Sequence, residues 1–272
     1  MPISQQLDEN TKHKWQDLLS YLHQNGKNGL VAAFSGGVDS SLLALAAREA
    51  GIDVRLLSVE NPLISEFDRH FAKNIAQELG LAHYPLQMDA LAIKEVAENS
   101  RERCYACKKT MLSVLQSWAC ERGIGAVAEG SNVDDMASYR PGQRAVDELG
   151  VLQPLREAAL RKDEIRALAR HFGLSNWQRP SSPCLASRFP YDICLTEELL
   201  HRVEQGEALL RSWGFTEYRL RCHGDTARIE LAEEEWTRFF ADKKKFVRGL
   251  KSQNFRHVVL DLEGLKSGGF DK

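Results

Sequence analysis

The segment Ser35-Gly36-Gly37-Val38-Asp39-Ser40-Ser41 assembles residue types suited to holding an anion. Glycines let successive backbone N–H groups converge into a nest for phosphate oxygens. A helix starting at Val38 would add the partial positive charge of its N-terminus. The hydroxyls of Ser35, Ser40 and Ser41 could donate further hydrogen bonds. Asp39 would repel phosphate, so its expected work is to hold Mg2+ or to cap the helix. The loop is not a Walker A motif, because G-x-x-x-x-G-K-[ST] is absent. The plainer alternative is a strand–turn–helix connection rich in Ser and Gly.

A second kind of chemistry lies in the cysteines. Cys104 and Cys107 stand in Arg103-Cys104-Tyr105-Ala106-Cys107-Lys108-Lys109. Positions i and i+3 of a helix share a side, and the basic neighbours and a helix start favour thiolate. A buried pair of cysteines is the alternative. Cys184 lies in Ser181-Ser182-Pro183-Cys184-Leu185-Ala186-Ser187-Arg188. Prolines fix the backbone there and Arg188 supplies positive charge, which suits a reactive thiolate. A structural loop cysteine is the alternative. Cys120, Cys194 and Cys222 are scattered and read as fillers.

Alternating elements must position these groups. Helical spacing covers residues 11–25, and Gly29 to Phe34 is a short apolar run of the kind buried on both faces. Helix composition follows over 38–50, an apolar run over 53–59, helix over 65–79 and a short strand over 83–86. Helix over 108–121, strand over 125–130 and helix over 162–172 complete the series. This alternation predicts an α/β fold with a parallel sheet. Ligands of such sheets bind beyond the carboxyl ends of the strands. The loop at 35–41 and Gly130-Ser131-Asn132 both fall there, so Gly130 and Asn132 are expected to face a nucleotide. Asp135 could bind Mg2+ or ribose, or be a solvated loop acid. Arg140 and Arg144 flank Pro141-Gly142 and could bind phosphate.

Residues 178–192 read as a loop, and we place the domain boundary there, with domains at 1–185 and 186–272. The second is a small α+β unit: helix 197–213, strands 217–222 and 227–231 around the turn signal Gly224-Asp225, a charged helix 233–251 and a strand 257–262. Arg219 and Arg221, two apart on a strand, share one face. A solvated basic face is the alternative to a binding role. Glu207 and Glu230 are weaker candidates for a metal or polar contact at a subunit interface, and Tyr105 for stacking on a ring.

Composition is that of an ordinary globular chain: 43% hydrophobic and 27% charged residues over 272 positions. A net charge of -2 carries no global basic bias, so nucleic acid is not an expected partner. Met1 to Trp15 lacks the basic-then-apolar order of a secretory signal, and no apolar run is long enough to cross a membrane. A cytoplasmic protein is expected.

The loop at 35–41 resembles the PP-loop of ATP pyrophosphatases, which cleave ATP between the α and β phosphates and place AMP on a substrate oxygen. Further stretches narrow the likeness: Arg103 to Lys108, Glu129-Gly130-Ser131-Asn132-Val133-Asp134-Asp135, Tyr139-Arg140-Pro141-Gly142, Ser182 to Arg188, and Gly224 to Glu230. Jointly they resemble the LarE family, ATP-dependent sulfur transferases of nickel-pincer nucleotide cofactor synthesis. The resemblance runs over nearly the whole chain. It implies a PP-loop domain, adenylation of the carboxylate of pyridinium-3,5-biscarboxylic acid mononucleotide, and conversion to thiocarboxylate with Cys184 in the sulfur step. It implies ATP and Mg2+ as cofactors, Arg219 and Arg221 on the substrate phosphate, and a homo-oligomer, a hexamer in kind. Cys104, Cys107 and Cys184 match the three ligands of a 4Fe–4S cluster that carries an extra sulfide in one variant of the family. In the other variant a lone cysteine gives up its own sulfur, and a tri-thiolate zinc site is a third possibility. A PP-loop tRNA thiolase and a non-catalytic ATP-binding or iron–sulfur scaffold are the competing functions. The ultimate source of sulfide stays open.

Overall fold

The computed structural model describes residues 7–137 and 141–265. The chain starts with α1 (Glu9–Asn25), whose N-cap Asp8 accepts the Thr11 N–H at 2.9 Å. Then come β1 (Leu30–Ala33), α2 (Val38–Glu49), β2 (Val54–Glu60), α3 (Glu66–Leu79) and β3 (His83–Gln87). After α4 (Lys94–Ala97) and α5 (Arg103–Cys120) follow β4 (Ala126–Ala128), α6 (Gly142–Glu148), α7 (Pro154–Glu157) and α8 (Lys162–His171).

The four strands β1 to β4 form a parallel sheet in the order β3-β2-β1-β4. The alternation of side chains along β1 divides the core. Leu30 and Ala32 pack with Leu18 and Leu22 of α1, Leu42 and Leu45 of α2, Ile75 of α3 and Leu168 of α8. Val31 points the other way, into Leu57, Val127, Leu112 and Leu115 of α5 and Val146 of α6. Helices therefore cover both faces, and the apolar runs read as strands are buried on both sides, as a parallel sheet requires. The α/β expectation holds.

Beyond Cys184 the chain forms α9 (Glu197–Ser212), β5 (Tyr218–His223), β6 (Thr226–Leu231), α10 (Trp236–Ala241), α11 (Lys243–Lys251) and β7 (His257–Leu260). β5 and β6 are antiparallel around Gly224, whose φ is 57°, and β7 pairs parallel to β6. The charged helix expected over 233–251 is instead two helices that meet at Asp242. The break brings Phe239 and Phe246 into a stacked pair with ring centroids 5.3 Å apart, both buried beside Phe215. Burying both rings outweighs the continuity of one helix.

The described residues form two compact units. One takes those of Met1–Asn61, Glu66–Met88 and Cys104–Ser182; the other takes those of Pro62–Ser65, Asp89–Arg103 and Pro183–Lys272.

Candidate active site

In the first unit the loop at 35–41 leaves β1 and enters α2, as its sequence implies. Gly36 has φ 70°, and a Cβ there would lie 2.6 Å from Ala72 Cα, so only glycine fits. Gly37 is the N-cap of α2, and the first N–H groups of that helix have no partner within it. N–H groups of this kind, together with the helix dipole, can receive an anion. Two of the serines work inside the loop. Ser40 Oγ donates to Gly37 O at 3.0 Å, and the fully buried Ser41 Oγ donates to the same carbonyl at 2.9 Å. Gly37 N–H and Ser40 Oγ both lie 3.3 Å from Ser35 Oγ.

Asn176, which the sequence reading passed over, braces this loop. Its buried side-chain amide donates to Gly36 O and to Ser41 Oγ, each at 2.8 Å. Lys162 was passed over too. At the first position of α8, its ammonium forms an ion pair with Asp39. The other Asp39 oxygen accepts Asn132 Nδ2 at 3.3 Å.

The exit from β4 closes the same site. A Cβ on Gly130 would come within 3.1 Å of Ser40 N, so Gly130 lets this turn press against the start of α2. Asn132 N–H donates to Asp135 Oδ2 at 3.0 Å, and Lys162 N–H donates to Asp134 Oδ2 at 2.8 Å. Asn132 thus links two carboxylates, Asp39 and Asp135. Buried Glu129 pairs with Lys108 of α5 at 2.8 Å. Arg140 lies outside the described residues. Arg144 sits with its guanidinium 3.5 Å from the centroid of the Tyr105 ring, the face offered above for stacking.

Cys104 and Cys107 occupy the start of α5, one exposed and one half-buried. They belong to the first unit, and half-buried Cys184 belongs to the second. Among the described residues, no three His, Cys, Asp or Glu side chains form a group able to hold a metal ion.

In the second unit Cys184 is the N-cap of a short 3-10 turn, Leu185–Arg188. Its carbonyl accepts Ser187 N–H at 3.0 Å and Ser187 Oγ at 2.7 Å. Arg188 also donates to Pro183 O at 2.8 Å, and its fork grips Glu207 of α9 at 2.8 and 3.1 Å. The positive charge expected of Arg188 is therefore matched by a buried carboxylate, and its role here is to shape the loop.

Arg219 and Arg221 share a strand face, yet they are in different electrostatic situations. Arg221 grips Glu230 with two bonds of 2.9 and 3.1 Å and donates to Ser187 O at 2.6 Å. Arg228, opposite Arg221 across the hairpin, shares the same carboxylate at 2.9 Å. Arg219 Nε is buried with no hydrogen-bond partner among the described residues. Burial, then the neighbouring charges of Arg188 and Arg221, push the Arg219 guanidinium down to about 10. It stays protonated at neutral pH, with Glu207 and Glu230 acting against that fall but with no ion pair of its own among the described residues.

Comparison with known proteins places the chain among relatives. The sequence profile described as queuosine biosynthesis protein QueC matches residues 29–166. An uncharacterized protein of Synechocystis sp. is 37% identical over 243 residues, 88% of this chain and 91% of that one. The pyridinium-3,5-bisthiocarboxylic acid mononucleotide synthase of Lactiplantibacillus plantarum is 38% identical over 243 residues, 88% of this chain and 87% of its own. A tRNA-specific 2-thiouridylase MnmA of Rhodospirillum rubrum is 31% identical over 209 residues, covering 62% of this chain and 53% of its own.

Proposed function

The chain belongs to the LarE family of PP-loop enzymes, and on that premise we propose that it is the ATP-dependent sulfurtransferase that makes pyridinium-3,5-bisthiocarboxylic acid mononucleotide, the product for which its Lactiplantibacillus relative is named. The observation that carries the reading is that this likeness spans both the phosphate loop and the Cys184 loop, over 88% of the chain. The 2-thiouridylase likeness stops at 62%, which favours the small mononucleotide over tRNA as substrate.

The chemistry follows from what a carboxylate lacks. It is a poor electrophile until its oxygen carries a good leaving group. A substrate carboxylate oxygen attacks the α phosphorus of ATP, and pyrophosphate leaves. The N–H groups at the start of α2, with Gly36 and Gly37, receive the charge that builds on the leaving pyrophosphate. Sulfur at the sulfide level then attacks the acyl carbon, the C–O bond to AMP breaks, and a thiocarboxylate remains. Asp39 and Asp135, the oxygen donors linked by Asn132, would hold Mg2+ in place of the Lys162 ammonium now on Asp39, with the phosphates supplying the remaining ligands. Bound there, it would neutralise phosphate charge. Arg219 would hold the substrate phosphate, with Arg221 keeping the loop at Ser187 in place.

The thiols fit a 4Fe–4S cluster by chemistry. Cys104, Cys107 and Cys184 are soft donors, two of them one helical turn apart, and three thiolates leave one iron open. Bound there, a cluster would supply the sulfide. The competing route draws sulfur from Cys184 itself, and a tri-thiolate zinc site is the bland alternative.

The functional test is direct. Pyrophosphate should be released from ATP only when pyridinium-3,5-biscarboxylic acid mononucleotide is supplied, and the product should carry sulfur in place of carboxylate oxygen. ATP cleavage indifferent to that substrate would sink the proposal. Anaerobically prepared protein should contain iron and acid-labile sulfide, both lost in Cys104→Ser. Mass spectrometry of Cys184 after turnover decides between routes, since loss of the elements of hydrogen sulfide would establish self-sacrifice.

A further inference from the structure

Arg103 is a buried cation with nothing charged to answer it. It is 7% exposed, and both Nε and Nη1 are buried without a hydrogen-bond partner. No ion pair joins it or Arg101 among the described residues. What it touches is an aromatic face: its guanidinium carbon lies 4.2 Å from the centroid of the Tyr191 ring, and that of Arg101 lies 5.0 Å from the same centroid. Two like charges therefore share one ring. A cation–π contact offsets only a small part of the cost of burying a charge.

Two further buried groups beside it are also unanswered. Asn99, fully buried, has no partner for Oδ1, and Ser100 has none for Oγ. The three residues are held as one cluster. Arg103 N–H donates to Ser100 O at 3.1 Å. Asn99 Nδ2 donates to Pro190 O at 2.7 Å, and Asp192 N–H donates to Asn99 O at 3.2 Å. Asn99 thus clasps the chain on either side of Tyr191, under the Arg103 guanidinium. All of these residues lie in the second unit: Asn99, Ser100, Arg101 and Arg103 on its stretch Asp89–Arg103, and Pro190, Tyr191 and Asp192 on the stretch that also carries Cys184 and Arg188. Buried polar groups are ordinarily satisfied, and a buried charge ordinarily has a counter-charge. A cluster that breaks both rules together marks a place for a ligand.

We propose that Arg103, with Ser100 and Asn99, is an oxyanion subsite that takes a carboxylate or the phosphate of the pyridinium mononucleotide. The inference rests on the functional reading above and adds a residue to it. Arg103 and Ser100 supply donors, and the planar guanidinium can join Nη2–H to the unmet Nε–H or Nη1–H to give an oxyanion two parallel bonds. Asn99 Oδ1 supplies an acceptor, which suits a ribose hydroxyl of the same ligand.

The test is calorimetric titration of the full chain, at matched iron and sulfide content, with three probes. Nicotinic acid mononucleotide carries a ring carboxylate and a phosphate, nicotinamide mononucleotide lacks the carboxylate, and nicotinic acid riboside lacks the phosphate. Arg103→Gln is expected to weaken nicotinic acid mononucleotide by about ten- to a hundredfold while ATP binding is unchanged. The probe whose affinity the substitution leaves alone identifies the group Arg103 holds. Arg103→Lys keeps the charge without the fork and should fall between. Melting of the unliganded variants supplies a second readout. Removing an unanswered buried cation should leave the melting temperature equal or higher, whereas a purely structural arginine would lower it. Equal binding of nicotinic acid mononucleotide by wild type and Arg103→Gln overturns the subsite alone. A wild-type chain that binds none of the three probes overturns the functional reading along with it.

Discussion

The side-chain amide of Asn176 reaches across 135 residues of sequence to the hydroxyl of Ser41, at 2.8 Å, and holds the carbonyl of Gly36 with the same nitrogen. Asn176→Leu removes both donors and leaves two buried acceptors unmet, at a cost of about 1–3 kcal/mol. The expected outcome is a lower melting temperature together with a raised KM for ATP, because Gly36 and Ser41 shape the anion nest. A variant that loses stability but keeps the wild-type KM would show that Asn176 is only core.

Asp39 and Lys162 form the other long-range tie on the loop. Asp39→Asn keeps the hydrogen bond with Asn132 and removes the negative charge. Loss of the carboxylate that would hold Mg2+ against the phosphates is expected to lower kcat/KM for ATP by about a hundredfold. Lys162→Gln should affect ATP similarly and leave binding of the pyridinium mononucleotide unchanged. Steady-state kinetics in ATP, beside calorimetry with the mononucleotide, checks both. A Lys162 effect confined to the mononucleotide would refute this assignment.

Arg188 and Glu207 are a buried bidentate pair, so breaking one side should be worse than removing both. Arg188→Met strips buried Glu207 of its bidentate partner and leaves it the Leu220 N–H at 3.2 Å, at a cost of about 3 kcal/mol. Adding Glu207→Leu removes the buried charge and should restore part of that stability, less the unmet Leu220 N–H. It should not restore sulfur transfer, because Pro183 O and Cys184 O still lack the donor that fixed the Cys184 loop. Denaturant melts and single-turnover assays on the three proteins separate the two effects.

His83 predicts an acid limb in stability. Burial pushes its imidazole below the ordinary value of 6.5. The unfolded chain then binds the proton more readily, so stability rises with pH in this window. The contribution is fully present above about 6.5 and is lost as pH falls through the depressed folded value. Ser58 Oγ donates to Phe34 O, so His83 Nε2–H must be the donor to Ser58, at 2.8 Å. His83→Gln keeps a donor and should flatten the urea midpoint between pH 8 and 5. An unchanged slope would assign the acid sensitivity elsewhere.

Local signals in the sequence identified what local physics builds. The phosphate loop was legible because glycines, serines and a helix start occur in one short run. The sheet was legible because Leu30 to Ala33 is apolar on both faces and Val54 to Val59 is mostly so, with Val54, Leu56, Leu57 and Val59. Asn176 and Lys162 were not, since one asparagine in a loop and one lysine at a helix start look the same whether or not a distant loop needs them. Arg219 and Arg221 looked equivalent for a related reason. The hairpin register sets Arg219 opposite Glu230, and only the folded side-chain contacts show that this carboxylate is taken by Arg221 and Arg228 instead. The charged run over 233–251 misled because its helical period continues through Asp242, while the packing of Phe239 on Phe246 does not allow one straight axis.

The second unit is assembled from three stretches of chain, and its seam with the first falls on the peptide bond between Arg103 and Cys104. A fragment ending at Ser182 would keep Asn99 and Arg103 and discard Pro190 and Tyr191, which they clasp. No single crossover in the gene can therefore exchange one unit and leave the other whole. The two halves of the chemistry have to be inherited together, and variation in this protein should come by point substitution, with little by way of module exchange.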